Sequence, residues 1–201
     1  MTDWSIAIMG PVGSGKTTAI RTASDIAEPL DTEVAFDEPG RADKPTTTVA
    51  MDMGALELDD GSRLLLLGAP GQDRFSHMWD ILLAQARAAI VLVDGTVADA
   101  ANQLEYYVDQ VRQRTVGRSR PVPVVIGVTR ADKRQGQGLE DFRLRARPGR
   151  CSCSACQPPV VAVDAHDRHS MSRLLTTATA LLEIDERFPE QSLHDWLGTK
   201  T

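Results

Sequence analysis

Short apolar runs alternate with longer amphipathic stretches along the chain. Trp4–Met9 is an apolar run ending at Gly10 and predicts a buried strand. Lys16–Ala27 follows with helical character. Val34–Phe36 fits a short strand or an extended loop, and Arg41–Thr47, with its proline and threonines, fits a loop. Thr48–Leu58 and Arg63–Leu67 read as strands. They flank Asp59-Asp60-Gly61-Ser62, an Asp/Gly cluster that signals a hairpin. Within Arg74–Ala86, the residues Phe75, Met78, Trp79 and Leu82 recur at offsets of three and four, so they share one helix face. Ala88–Val93 predicts a buried strand. Asp99–Arg114 predicts a helix on the spacing of Leu104, Tyr107, Val108 and Val111. Val122–Val128 is a strand, Leu139–Arg145 a short helix, Val160–Val163 a strand and Met171–Ile184 a last helix.

The resulting order is β-α-β-β-α-β-α-β-α-β-α. One hairpin inside a βα series predicts an α/β fold with a mainly parallel sheet, one antiparallel edge strand and helices on both faces. The 201 residues suit one domain. No apolar run approaches the ~20 residues that a membrane-spanning helix needs. Met1-Thr2-Asp3-Trp4 lacks the basic start of a secretory signal, so a cytoplasmic location is expected.

Candidate chemistry begins where the first strand ends. Gly10-Pro11-Val12-Gly13-Ser14-Gly15-Lys16-Thr17 matches G-x-x-x-x-G-K-[ST] between a strand and a helix. A phosphate chain needs converging N–H donors, so the backbone must curl closely around an anion. Gly10, Gly13 and Gly15 permit that curl, and the helix N-terminus adds partial positive charge. Ser14 and Thr18 complete the cradle. Lys16 can bridge the outer phosphates, and the Thr17 hydroxyl can ligate Mg²⁺. The plain alternative is a Gly-rich turn without a ligand.

Thr46-Thr47-Thr48 follows in a loop, where a threonine can place its hydroxyl on the metal. Three threonines before a strand also suit β-structure alone. Gly68-Ala69-Pro70-Gly71-Gln72 follows the second hairpin strand. A glycine there can offer its N–H to a terminal phosphate, and Gln72 can orient an attacking water. A simple turn is the alternative.

Thr129-Arg130-Ala131-Asp132 follows the strand that ends at Val128, at the ligand-binding edge of such sheets. A carboxylate can accept both adjacent donors of guanine, N1–H and the N2 amino group, which adenine lacks. Asp132 can serve so, or stand as a helix cap or solvated acid. After the next strand, Asp164-Ala165 can offer the Ala165 N–H to the guanine O6.

In these segments the chain resembles the Ras-like small GTPases, and most of all their bacterial MglA-type branch and the conservon GTPases of actinobacteria. The resemblance rests on Gly10–Thr17, Thr46–Gly54, Leu67–Phe75, Val91–Asp94 and Thr129–Asp132, and covers Ser5 to Ile184. It implies a Ras-like P-loop NTPase fold with a six-stranded sheet over residues 1–187 and a tail at 188–201. It implies Mg²⁺-dependent binding of GTP and GDP, slow hydrolysis to GDP and phosphate, and a conformational switch. It also implies a roadblock-type regulatory partner. Thr48 then becomes the switch threonine on the metal, and Gln72 the residue that positions water.

Three positions depart from the Ras-like pattern. Gly68 stands where an acid near Mg²⁺ is usual, and Asp52 is a candidate to reach the metal through water. Thr129-Arg130-Ala131-Asp132 replaces Asn-Lys-x-Asp, so the Asn that braces the phosphate loop is gone and Arg130 takes the stacking place of Lys. Asp164-Ala165 replaces Ser-Ala. Arg41 and Arg74 are candidates for an arginine finger or for solvated surface residues. Rival readings are a P-loop kinase or ATPase, and a module that binds nucleotide with little hydrolysis.

The net charge of −6 and the scarcity of aromatic residues argue against a nucleic-acid partner. The total conceals a basic stretch. Arg143–Arg150 precedes Cys151, Cys153 and Cys156 in an insertion over about residues 134–158. The arginines can meet an acidic partner or a membrane surface, or remain solvated. Tetrahedral zinc needs a fourth ligand, for which His166 and His169 are the candidates; reactive or merely exposed thiols are the alternatives.

Overall fold

Alternate residues of the central strands pack on opposite sides of one sheet. In β1 (Trp4–Met9), Ile6 and Ile8 join one core cluster while Ala7 and Met9 join the other. In β6 (Ala88–Asp94), Ala88, Ile90 and Leu92 face the first cluster, and Ala89, Val91 and Val93 the second. A strand buried on both faces has no polar alternation, which is why these segments read as continuous apolar runs.

The computed structural model describes residues 4–25, 32–36, 47–58, 61–118, 122–134, 138–146 and 157–187, with 32–36 and 47–50 as backbone only. The remaining elements are α1 (Lys16–Ala23), β2 (Thr32–Phe36), β3 (Thr47–Met51), β4 (Met53–Glu57), β5 (Arg63–Gly68), α2 (Ser76–Gln85), α3 (Ala100–Arg114), β7 (Val124–Thr129), α4 (Glu140–Arg145), β8 (Val160–Val163) and α5 (Arg168–Arg187). The main sheet has six strands in the order β4-β5-β1-β6-β7-β8. The β4–β5 pair is antiparallel and every other neighbour is parallel. Helices α1 and α5 cover the face holding Ile6 and Ile8; α2, α3 and α4 cover the other. This is the expected α/β architecture, consistent with a P-loop NTPase.

Several boundaries differ from expectation. Helix α1 stops at Ala23, where Ser24 turns extended, rather than at Ala27. The residues expected as one strand, Thr48–Leu58, form two. Strand β3 pairs with β2 in a separate two-stranded sheet, and β4 pairs with β5. The break falls at Asp52, whose carbonyl accepts the Gly68 N–H at 2.7 Å. The helix expected from Arg74 starts as a 3-10 turn over Asp73–Phe75 before α2. Asp59 and Asp60 of the hairpin lie outside the described residues. Beside them the turn is closed by Leu58 N–H to the Ser62 carbonyl at 2.9 Å, with Gly61 at φ 76°.

The C-terminal end of α2 has no basic residue of its own in its last turn. Arg118 supplies the charge from a distance. Its guanidinium donates to the Leu83, Ala84 and Ala86 carbonyls at 2.7, 2.6 and 2.8 Å. Those are acceptors that a helix end leaves without intrahelical partners.

Candidate functional site

The loop between β1 and α1 curls through three glycines with positive φ: Gly10 at 137°, Gly13 at 82° and Gly15 at 96°. At Gly10 the chain also passes so near β6 that a Cβ would stand 2.1 Å from the Leu92 carbonyl oxygen. Only glycine meets both demands. Lys16 opens the helix and is 8% exposed. Its ammonium donates to the Gly10 and Pro11 carbonyls at 2.8 and 2.7 Å. Burial lowers its pKa to about 8, against the opposing pull of the Asp52 carboxylate. Ser14 is buried and its hydroxyl has no partner among the described residues. Thr18 lies half-buried one residue beyond Thr17.

The Thr17 hydroxyl donates to the Asp52 carboxylate. That bond orients the hydroxyl, leaving its oxygen lone pairs for another partner. Gly68 lies against the same carboxylate-bearing residue. A Cβ there would stand 2.9 Å from the Asp52 Cβ and 2.7 Å from Ile20 Cδ1. The acid therefore enters from the β3–β4 break and not from the end of β5. One hydroxyl and one carboxylate are hard oxygen donors that suit Mg²⁺, which completes its shell with water and phosphate oxygens. No group of three His, Cys, Asp or Glu side chains able to hold a metal occurs among the described residues.

The segment after β5 lies on the phosphate loop. A Cβ on Gly71 would fall 2.7 Å from Val12 N and 2.8 Å from Lys16 Nζ. The Trp79 indole N–H donates to the Pro70 carbonyl at 2.9 Å, and the Tyr107 hydroxyl donates to the Gly71 carbonyl at 3.1 Å. The Trp79 and Tyr107 rings lie 5.4 Å apart, and Tyr106 closes on both. Gln72 follows directly and is exposed, its carbonyl accepting the Phe75 N–H at 3.0 Å. The helical spacing of Trp79 and Tyr107 predicts them as core residues. Their polar tips, on rings large enough to be buried, are the signal that they also reach the backbone of another segment.

The far wall of the site comes from the ends of β7 and β8. A Cβ on Gly15 would lie 3.4 Å from the Ala165 Cβ and 3.5 Å from Thr129 Cγ2. Thr129 adds a contact to the phosphate loop that the sequence did not indicate. Where the Asn is absent, the Thr129 hydroxyl lies 3.1 Å from the Ser14 carbonyl and 3.2 Å from the Val93 carbonyl. Its single proton can serve one of these at a time. Arg130 adopts φ 52° and pairs with Asp94 at the end of β6. Burial works to raise the Asp94 carboxyl, but the Thr96 N–H and hydroxyl and the Arg130 guanidinium outweigh it and lower its pKa. Asp132 lies in a 3-10 turn over Ala131–Lys133, exposed and without a partner among the described residues. The Asp164 carboxylate accepts the His166 N–H at 2.9 Å, while Ala165 is buried beside Gly15.

Some expected residues fall elsewhere. Arg74 lies over the Phe75 ring, 4.6 Å from its centroid. The Thr48 side chain, Thr46, Arg41, the three cysteines, the arginine-rich run beyond Ala146 and the tail at 188–201 lie outside the described residues. No helix among the described residues is long and apolar enough to cross a membrane.

Thus the phosphate-loop motif, the Thr17–Asp52 pair, Gly71, Thr129 and Ala165 converge at one end of the sheet. No relative among curated proteins matches the chain. A family model does match, over residues 21–184, well over half of the chain and from the second turn of α1 onward. The phosphate loop precedes the matched span and adds its own support for a nucleotide ligand. The chain belongs to the family described as conserved hypothetical ATP-binding proteins.

Proposed function

We propose that the protein is a cytoplasmic guanine-nucleotide switch that binds GTP with Mg²⁺ and hydrolyses it slowly to GDP. The observation that carries the reading is the position of Thr129 and Ala165 against Gly15, which sets the ends of β7 and β8 beside the phosphate loop. A nucleotide with its phosphates at Gly10–Thr17 then extends its base toward Asp132, whose exposed carboxylate is available to guanine's paired donors. Arg130, paired at its tip with Asp94, takes the stacking place beside the base. The Ala165 N–H serves the guanine O6, with Asp164 holding the turn through His166.

At the phosphate end, Gly13, Ser14, Gly15 and Thr18 supply the cradle, and Lys16 places its ammonium on the phosphates. Bound Mg²⁺ would neutralise phosphate charge, held by the Thr17 hydroxyl with Asp52 and Thr48. Gln72, directly after the Gly71 contact, orients the attacking water. A roadblock-type protein is the proposed regulator. Residues 1–187 constitute the switch domain, which includes the basic insertion at about 134–158, and the tail at 188–201 lies outside it.

The family description favours a second reading, an ATP-binding protein or ATPase. Competition of unlabelled GTP and ATP against a fluorescent GDP separates the two. GTP is expected to displace the probe and ATP is not; equal displacement overturns the guanine reading. Asp132→Asn is expected to shift preference toward xanthine nucleotides, because the amide can donate where the carboxylate accepted.

A further inference from the structure

Trp79 and Tyr107 have no place in the nucleotide site by motif, yet both end on its backbone. The indole holds the Pro70 carbonyl and the phenol holds the Gly71 carbonyl, two hydrogen bonds on consecutive residues from two different helices. Trp79 is fully buried and Tyr107 is 4% exposed, so losing either carbonyl leaves a donor on a largely buried ring. Burial, followed by the nearby Asp73 charge, raises the Tyr107 pKa to about 12, so the phenol remains a donor at physiological pH. Tyr106 adds a contact from its hydroxyl to Asp73 at 3.4 Å, just beyond Gln72.

These bonds set the position of Gly71 over Lys16. The missing Cβ would lie 2.8 Å from Nζ, so the Gly71 Cα stands no more than about 4.3 Å from the ammonium. The same Cβ would fall 2.7 Å from Val12 N and 2.8 Å from the Pro11 carbonyl carbon, so the Gly71 segment lies on the phosphate-loop backbone itself and leaves no room between them for a phosphoryl group. A diphosphate, ending earlier along the loop, makes no such demand.

We propose that Trp79 and Tyr107 are positioning residues that set the discrimination between nucleoside triphosphate and diphosphate. They latch the Pro70–Gly71 segment across the ground that a terminal phosphate takes. The triphosphate must lift Gly71 and break or stretch the two bonds; the diphosphate leaves them intact. This rests on the proposed nucleotide site, but not on its base preference.

The test uses the full chain, with affinities for GDP and a non-hydrolysable GTP analogue measured by calorimetry. The corresponding adenine pair forms a second arm. Tyr107→Phe removes one hydrogen bond of the latch and leaves the ring. The triphosphate-to-diphosphate affinity ratio is expected to rise about five-fold, the worth of one hydrogen bond. Trp79→Phe is expected to raise it in the same direction. A variant that is merely damaged lowers both affinities together and leaves the ratio alone, so an unchanged or lowered ratio in both variants overturns the proposal. In a Trp4→Phe, Trp196→Phe background, the emission of Trp79 is expected to shift with the triphosphate analogue and not with the diphosphate. Equal responses to both also overturn it. Failure of the unaltered protein to bind any of the four nucleotides overturns the site reading itself, and the latch with it.

Discussion

Gly68 gives Asp52 the space its side chain occupies. A Cβ at position 68 would meet the Asp52 Cβ at 2.9 Å and the Asp52 carbonyl oxygen at 3.0 Å, while the Gly68 N–H bonds that carbonyl at 2.7 Å. Restoring an acid at the end of β5 is therefore expected to harm the protein. Gly68→Asp should cost about 1–3 kcal/mol through overpacking, with a lower Tm in a thermal melt. A melt at the unaltered temperature would show that position 68 tolerates a side chain.

Asp52→Ala removes the acceptor that orients the Thr17 hydroxyl. Retention of a bound fluorescent nucleotide is expected to depend less steeply on Mg²⁺ concentration in this variant. An unchanged dependence in a stopped-flow release assay would remove Asp52 from the metal's surroundings.

Lys16 links pH to stability. Its pKa of about 8 in the fold lies below the ordinary 10.5, chiefly through burial. Between those values the unfolded chain holds a proton that the folded one has released, so stability rises with pH across that window. Below about pH 8 both forms are charged, and the folded protein bears a buried ammonium. Lys16→Met is expected to be the more stable in the absence of nucleotide near pH 7, by on the order of 1–3 kcal/mol, with the gap closing toward pH 10. Nucleotide affinity has the opposite trend, falling above about pH 8 as the ammonium that attracts phosphate is lost. Melts and titrations over pH 7–10.5 read both.

Thr129→Val keeps the shape of the side chain and deletes its hydroxyl. With the Ser14 carbonyl left without this donor, nucleotide release is expected to quicken about five-fold, the worth of one hydrogen bond of about 1 kcal/mol. Release at the unaltered rate would show that the contact does not brace the loop.

The sheet and the phosphate loop were legible because each depends on local signals. Apolar runs such as Ala88–Val93 mark doubly buried strands, and Gly10, Gly13 and Gly15 occupy backbone positions that disfavour a Cβ. The break at Asp52 was not legible. Thr47–Glu57 has continuous strand character, and the interruption arises from long-range bonds to Thr17 and Gly68. The Thr129 contact was not legible for a similar reason: a motif tests residue identity, whereas the reach of its hydroxyl to the Ser14 carbonyl depends on how the strand and loop are placed. Trp79 and Tyr107 read as core because their rings are core; a bond to Pro70 or Gly71 leaves no periodic trace in the chain.

The guanidinium of Arg118 has a mechanical consequence. By holding three carbonyls at the end of α2, it anchors that end. The opposite end begins as a 3-10 turn at Asp73–Phe75, directly after Gln72 and without a side-chain cap. With the Arg118 end held and Trp79 buried in the core, α2 is a fixed mount for the indole, so a displaced Gly71 works against the helix and does not carry it along.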